Sequence, residues 1–209
     1  MSKEQGEKVR RVPQQARGRA RVEQILDITE RLLAERGYDA LTTNAVAAEA
    51  GISVGALYHF FPNKVAILEA LIARYYVQLL AVSERVHADT PALTAETLEN
   101  YVETLLRALS DFVEGSPSLT PAFLAAASAS PNLEVMDRAN KAEMVSLFAA
   151  RYEVWARDEE TATRVARMVT AVLDMLFVET TKADRAANEA FVEETGRLLY
   201  TYLSSYLTP

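Results

Sequence analysis

Between Thr42 and Lys64 the chain concentrates groups that can hydrogen-bond a polyanion: the hydroxyls of Thr42, Thr43, Ser53 and Tyr58, the imidazole of His59 and the ammonium of Lys64. Residues with little or no side chain, Ala47, Gly51, Gly55 and Ala56, lie among them. A short helix opening on Ser53-Val54-Gly55-Ala56 leaves its first N–H groups and its positive dipole end uncovered. They can then approach phosphates while neighbouring side chains reach base edges. Such a helix fits the major groove of duplex DNA.

Other chemistries have little material. The chain has no cysteine and two histidines, His59 and His87. His87 falls near the end of a helix, where it reads as a solvated residue, and with Asp89 it makes only a fragment of a metal site. No metal and no cofactor are expected. There is no Gly-x-Ser-x-Gly elbow, phosphate-cradling glycine loop or dinucleotide fingerprint, so an enzyme is not expected.

The formal charge of −7 over 209 residues argues against a nucleic-acid partner only until the chain is divided. Through Arg21 there are seven basic side chains against two acidic ones, a local +5, and the remainder carries −12. A basic end on an acidic body directs that end toward a polyanion. Arg17, Arg19 and Arg21 crowd the start of the first helix against its dipole, a violation that suggests phosphate or minor-groove contacts, with a solvated basic tail that has no DNA role as the equal alternative.

The elements that must position these groups are helices. Residues 1–20 read as a flexible basic arm, with Gly6, Pro13 and Gly18 and few aliphatics. Val22, Ile25, Leu26, Thr29, Leu32 and Leu33 then follow a helical period that stops at Gly37. A threonine-led helix over 43–50, a break at Gly51 and a second short helix over 54–60 form a helix-turn-helix, with Val46, Ile52, Leu57 and Phe61 filling the crevice beneath. Pro62-Asn63 opens a long helix to about Val86. The period recurs at about 94–113, 120–129, 132–156, 159–181 and 186–206, and nothing alternates as a strand would. The fold class is all-α. Residues 21–64 form the DNA-binding unit and 65–209 a larger helical domain. Arg74, Arg107, Arg151 and Arg167 interrupt the richest apolar stretches, so no membrane partner is expected. With no signal-like N-terminus and no cysteine, a cytoplasmic home is expected.

The uninterrupted block Thr43, Ala47, Ala50-Gly51, Ser53, Gly55, Leu57-Tyr58, Phe61 and Lys64 resembles the N-terminal pattern of the TetR family of bacterial transcription regulators, over roughly residues 21–72. The resemblance implies phosphate contacts from Thr43, Tyr58 and Lys64, and groove-facing Ser53, Val54, Gly55, Ala56 and His59. It also implies a homodimer whose C-terminal domain binds a ligand. Two positions depart from the pattern. Phe60 stands where relatives often carry a phosphate donor, and Val65 where an acid commonly follows the lysine.

In the C-terminal half, Tyr101, Phe112, Phe123, Met144, Phe148, Tyr152 and Trp155 supply aromatic and soft apolar surface. With Arg107, Asp111 and Asn140 as polar anchors they outline a pocket between the long helix after Asn63 and the helix at 132–156. The ligand implied is a small hydrophobic or aromatic effector. Two terminal stripes, Val165, Met168, Val169, Val172 and Leu176, then Leu198, Leu199, Tyr202, Leu203 and Tyr206, could finish the core of one chain, but as two adjacent apolar faces they favour a two-fold four-helix interface. The reading is a ligand-responsive regulator, most simply a repressor, on near-palindromic double-stranded operator DNA. The rival from another class is a helical small-molecule carrier that keeps the helix-turn-helix as scaffold.

Overall fold

The computed structural model describes residues 14–90, 94–116, 122, 130–180 and 185–206. Eight helices are delimited among them, and no strand occurs among them. They are α1 (Gln14–Ala40), α2 (Thr43–Glu49), α3 (Val54–Phe60), α4 (Lys64–Asp89), α5 (Ala95–Gly115), α6 (Pro131–Tyr152), α7 (Glu159–Thr180) and α8 (Arg185–Ser204). Apart from Ala122, the helix expected over 120–129 lies outside the described residues, as does Phe123.

The helix ends follow capping chemistry. Thr42, Ser53 and Asn63 each stand in extended backbone and accept from the N–H three residues on, at 3.1, 3.1 and 2.9 Å. Each satisfies one of the orphan donors of a helix start. Gly37 (φ 74) ends the regular turns of α1, and Gly51 (φ 63) makes the turn between α2 and α3. The left-handed region costs every residue with a Cβ more than it costs glycine. At its other end α1 begins at Gln14, so Gln14–Ala20 continue the first helix where the sequence suggested a flexible arm. Ala16, Arg17, Arg19 and Ala20 are good helix formers, and they outweigh the single Gly18.

There are two hydrophobic cores, and α4 belongs to both. Its first half contributes Ile67, Leu68, Leu71 and Ile72 to a core with Ile25, Leu32, Leu57 and Leu133. Its second half contributes Leu79, Val82 and Val86 to a core with Tyr101, Leu105, Phe148, Val165 and Leu203. The N-terminal core therefore continues past Lys64 into α4 and takes in the first turn of α6. Serving two cores makes α4 apolar on more than one face, and by length and composition it is apolar enough to cross a membrane. The sequence reading passed over this because Arg74 interrupts the run. Arg74 is instead neutralised by carboxylates of α1. Leu57 is fully buried, and Leu57→Ala would cost about 2–5 kcal/mol and release α3 from the rest.

In the larger half α6 and α7 pack along each other, α5 packs on α4 and α8, and α8 also packs on α7. His87 is a correction to the sequence reading. It is buried, with Nε2 3.0 Å from the Tyr101 hydroxyl and its ring edge-on to Phe148. α4 runs to Asp89, three residues beyond the expected end, so His87 still lies over α5 and α6.

Candidate nucleic-acid interface

Burial of Leu57 fixes the rotation of α3 and turns Ser53, Val54, Gly55, Tyr58 and His59 outward, with Ala56 half-buried. α2 is held across it by buried Val46 and Ala47, and Ile52 N–H donates to the Ala47 carbonyl at 3.0 Å. The Thr43 and Tyr58 hydroxyls lie 3.4 Å apart across the turn, with Tyr58 49% exposed. Two hydroxyls this close can donate to one phosphate together. The Thr42 and Ser53 hydroxyls accept from backbone at the helix starts, and their own O–H donors remain for a ligand.

Arg17 and Arg19 are exposed on the first turns of α1, while Arg21 is half-buried and donates to Gln24 Oε1 at 2.9 Å. Arg19 shares a shallow cleft with Gly18, Val22, Glu23 and Phe60. The Phe60 ring, at the position that lacks a phosphate donor, stands edge-on to His59 at 5.8 Å. Arg19 is the cation beside that gap.

Lys64 differs from the expectation. Its ammonium is directed inward, donating to the Tyr38 carbonyl at 3.2 Å and lying 4.0 Å from the Tyr38 ring centroid. A cation is favoured there because Tyr38 belongs to the carbonyl end of α1. Lys64 locks α4 to α1. Arg31 and Arg36 were not anticipated by sequence. They bracket Glu49 at 2.9 and 3.8 Å, and hydrogen bonding to Arg31 holds the Glu49 carboxyl below its ordinary range. The pairing compensates an acid at the end of α2.

A cavity of about 230 Å³ lies between α4, α6 and α7, where the sequence placed its pocket. Asn140 and Met144 line it; the other described candidates do not. Tyr101, Phe148 and Tyr152 are fully buried in the second core, and their hydroxyl chain runs from His87 through Tyr101 to Tyr152 at 3.3 Å. Arg107 and Asp111 lie on the exposed side of α5, where Arg107 pairs with Glu103 at 2.8 Å. Phe112 packs on Tyr75 at 4.7 Å, and Trp155 lies under the Arg151 guanidinium. The wall instead takes Tyr75, Tyr76, Leu79 and Leu80 from α4 and Leu173, Asp174 and Phe177 from α7. Burial and Asp137 push the Tyr76 phenol well up.

The terminal stripes divide in the same way. Val165, Val169, Leu176, Leu199 and Leu203 face the core of their own chain, which corrects their placement on an interface. Met168, Leu198 and Tyr206 are exposed, as is Met175, and Val172 and Tyr202 are half-buried. An apolar period marks one face of a helix, and each of these helices has two apolar faces.

A family model for bacterial regulatory proteins of the tetR family matches residues 25–71, and a model for the tetracyclin repressor-like C-terminal domain matches residues 97–203. The chain belongs to the TetR family. It is 32% identical over 157 residues to the HTH-type transcriptional repressor KstR of Mycobacterium tuberculosis, covering 74% of this chain and 68% of that one. It is 35% identical over 102 residues to the nucleoid occlusion factor SlmA of Pasteurella multocida, 48% of each chain. The match thus spans about half the length of the SlmA proteins. Among solved structures, a TetR-family regulator from Mesorhizobium loti aligns with a TM-score of 0.73 at 17% identity, over 94% of this chain and 100% of that one. Another from Streptomyces coelicolor aligns with a TM-score of 0.63 at 24% identity, over 90% and 99%. These two bear on the fold. Within it, the TetR N-terminal match covers the whole α2–α3 surface, and the C-terminal match covers all of the cavity wall outside α4.

Proposed function

We propose that this TetR-family chain is a cytoplasmic, dimeric DNA-binding transcription regulator, acting as a repressor. The observation that carries the reading is the exposed face of α3, where Ser53, Val54, Gly55, Tyr58 and His59 stand free of the core while Leu57 anchors the helix. Val54, Gly55, Ala56 and His59 enter the major groove, and Thr42, Thr43, Ser53 and Tyr58 bind phosphates beside it, with Arg17 and Arg19 on the flanking backbone. One seven-residue helix contacts too few bases for a genomic site, so two copies about 34 Å apart read a near-palindrome. Exposed Met168, Met175, Leu198 and Tyr206 on α7 and α8 supply the face that a second copy covers.

The cavity between α4, α6 and α7 receives a small hydrophobic or aromatic effector. Its walls are mostly apolar, and α4 connects them directly to the first core. Two further ties flank this connection: Ser116 donates to Glu30 Oε1, joining the end of α5 to α1, and Ser130 donates to Glu69 Oε1 of α4, both at 2.6 Å. An effector that favours the spacing of α3 copies unsuited to DNA by about 2.7 kcal/mol releases the protein about 100-fold. The test is retardation of duplex DNA from upstream of the protein's own coding region, repeated at rising salt. Nanomolar-range binding that weakens steeply with salt is the expected result; no preference over random duplex removes the reading.

A further inference from the structure

The charged residues lining the cavity between α4, α6 and α7 are Asp137, Lys141 and Asp174. Lys141 Nζ lies 2.8 Å from Asp137 Oδ2 and 2.9 Å from Asp174 Oδ2, and the Tyr76 hydroxyl donates to Asp137 Oδ1 at 2.6 Å. Asp137 is thereby engaged on both oxygens, whereas among the described residues only one oxygen of Asp174 has a donor. Two carboxylates share one ammonium, so the lining carries a net negative charge beside the apolar side chains of Leu79, Leu109, Met144, Leu173 and Phe177. The Asp174 side chain is 46% exposed, so this excess charge lies at the solvent-facing part of the lining, within reach of an incoming cation.

A second observation points into the same space. Thr170 is 8% exposed, and its hydroxyl is buried with no hydrogen-bond partner. Three other buried or half-buried helical threonines turn back on their own helix: Thr29 to the Ile25 carbonyl at 2.8 Å, Thr180 to Leu176 at 2.9 Å and Thr195 to Phe191 at 2.8 Å. Thr170 makes no such bond, and it lines the cavity. It precedes Asp174 by four residues, so the unpaired hydroxyl and the half-engaged carboxylate share one face of α7, a turn apart.

We propose that this cavity takes a small lipophilic monoamine. Its ammonium pairs with Asp174 and donates to the Thr170 hydroxyl, and its apolar body packs on Leu79, Leu109, Met144, Leu173 and Phe177. At about 230 Å³ the space exceeds the roughly 150 Å³ apolar cavity that admits benzene, which suits one ring with a short arm or a compact bicycle. The assignment names the effector class of the regulator proposed above; it rests on that reading for any effect on DNA, though not for binding itself.

The test is calorimetric titration of the DNA-free protein with phenethylamine, phenethyl alcohol and phenylacetate, and with their naphthyl counterparts. The amine is expected to bind about tenfold tighter than the alcohol of the same ring, with the carboxylate weakest. Asp174→Asn should erase the preference for amine over alcohol, and Thr170→Val should weaken the amine severalfold. Lys141→Met, which leaves both carboxylates uncompensated, should tighten it, so the set contains changes of opposite sign in case one variant folds poorly. Equal affinity for amine and alcohol, tighter binding of the carboxylate, or no heat from any of the six probes overturns the proposal. Duplex retardation run in parallel separates the two readings. An amine that binds without disturbing the DNA complex keeps the site and removes its effector role. A protein that shifts DNA and takes no probe keeps the regulator and loses the amine.

Discussion

Arg74 Nη1 lies 2.6 Å from Asp27 Oδ1, joining the helix that forms a cavity wall to the helix on which the DNA-reading unit is built. The same guanidinium reaches Glu23 at 3.2 Å and Glu30 at 2.9 Å, and its side chain is 18% exposed. Its neighbours in sequence, Tyr75 and Tyr76, line the cavity. One cation thus holds three carboxylates together at the junction of the two halves.

Removing that cation leaves three like charges adjacent, whereas removing one carboxylate leaves two still paired with it. Arg74→Met should therefore lower stability to urea by about 1–2 kcal/mol, and Asp27→Asn by less than about 0.5 kcal/mol, since Asp27 is mostly exposed. Equal losses in the two variants would show that the cluster does not act as a unit.

Tyr58 is half-exposed, and among the described residues its hydroxyl pairs with that of Thr43. Tyr58→Phe should leave the thermal midpoint unchanged while weakening operator binding by about 1 kcal/mol per subunit, read by fluorescence anisotropy. Undiminished affinity would take Tyr58 off the phosphate.

Arg17→Ala with Arg19→Ala should flatten the dependence of log affinity on log salt by about 0.9 for each phosphate that these side chains neutralise. Arg21→Ala should do less, because its guanidinium already serves Gln24. If the slope is the same with and without Arg17 and Arg19, these residues play no part in DNA binding.

Burial, with a smaller contribution from Arg151, lowers the His87 pKa from 6.5 to about 4. The folded protein keeps His87 neutral while the unfolded chain takes up a proton, so stability is complete above pH 6.5 and falls as pH drops toward 4. The loss is on the order of 3 kcal/mol. Urea titrations across this window should give a shallower dependence for His87→Gln, which can still bond Tyr101. Parallel curves would mean that His87 does not report through its proton.

Leu198→Asp or Met168→Asp should yield monomers by analytical ultracentrifugation with helicity retained, since both side chains are about half exposed in the single chain. Retention of the dimer would move the interface elsewhere.

The helix-turn-helix was legible in sequence because its determinants are local. Caps at Thr42, Ser53 and Asn63, the Gly51 turn and the apolar anchor Leu57 act within a few residues of where they are written. Lys64 was misjudged for the opposite reason, since its partner, the Tyr38 carbonyl, lies 26 residues away. The cavity lining was half hidden in the same way. Periodicity reports that Tyr101, Phe148 and Tyr152 face inward, but burial in a packed core and burial beside a void leave the same sequence pattern.

The amino-acid sequence by itself determined the all-α class, the helix-turn-helix and the division into a basic end and an acidic body, because periodicity, capping and charge are properties of short stretches. Tertiary structure alone decided which apolar face of α7 and α8 remains outside, that His87 is enclosed, and that Asp137, Lys141 and Asp174 meet beside an unpartnered Thr170. Those outcomes depend on the angles at which helices far apart in the chain pack, and these are set by the whole core rather than by any one segment.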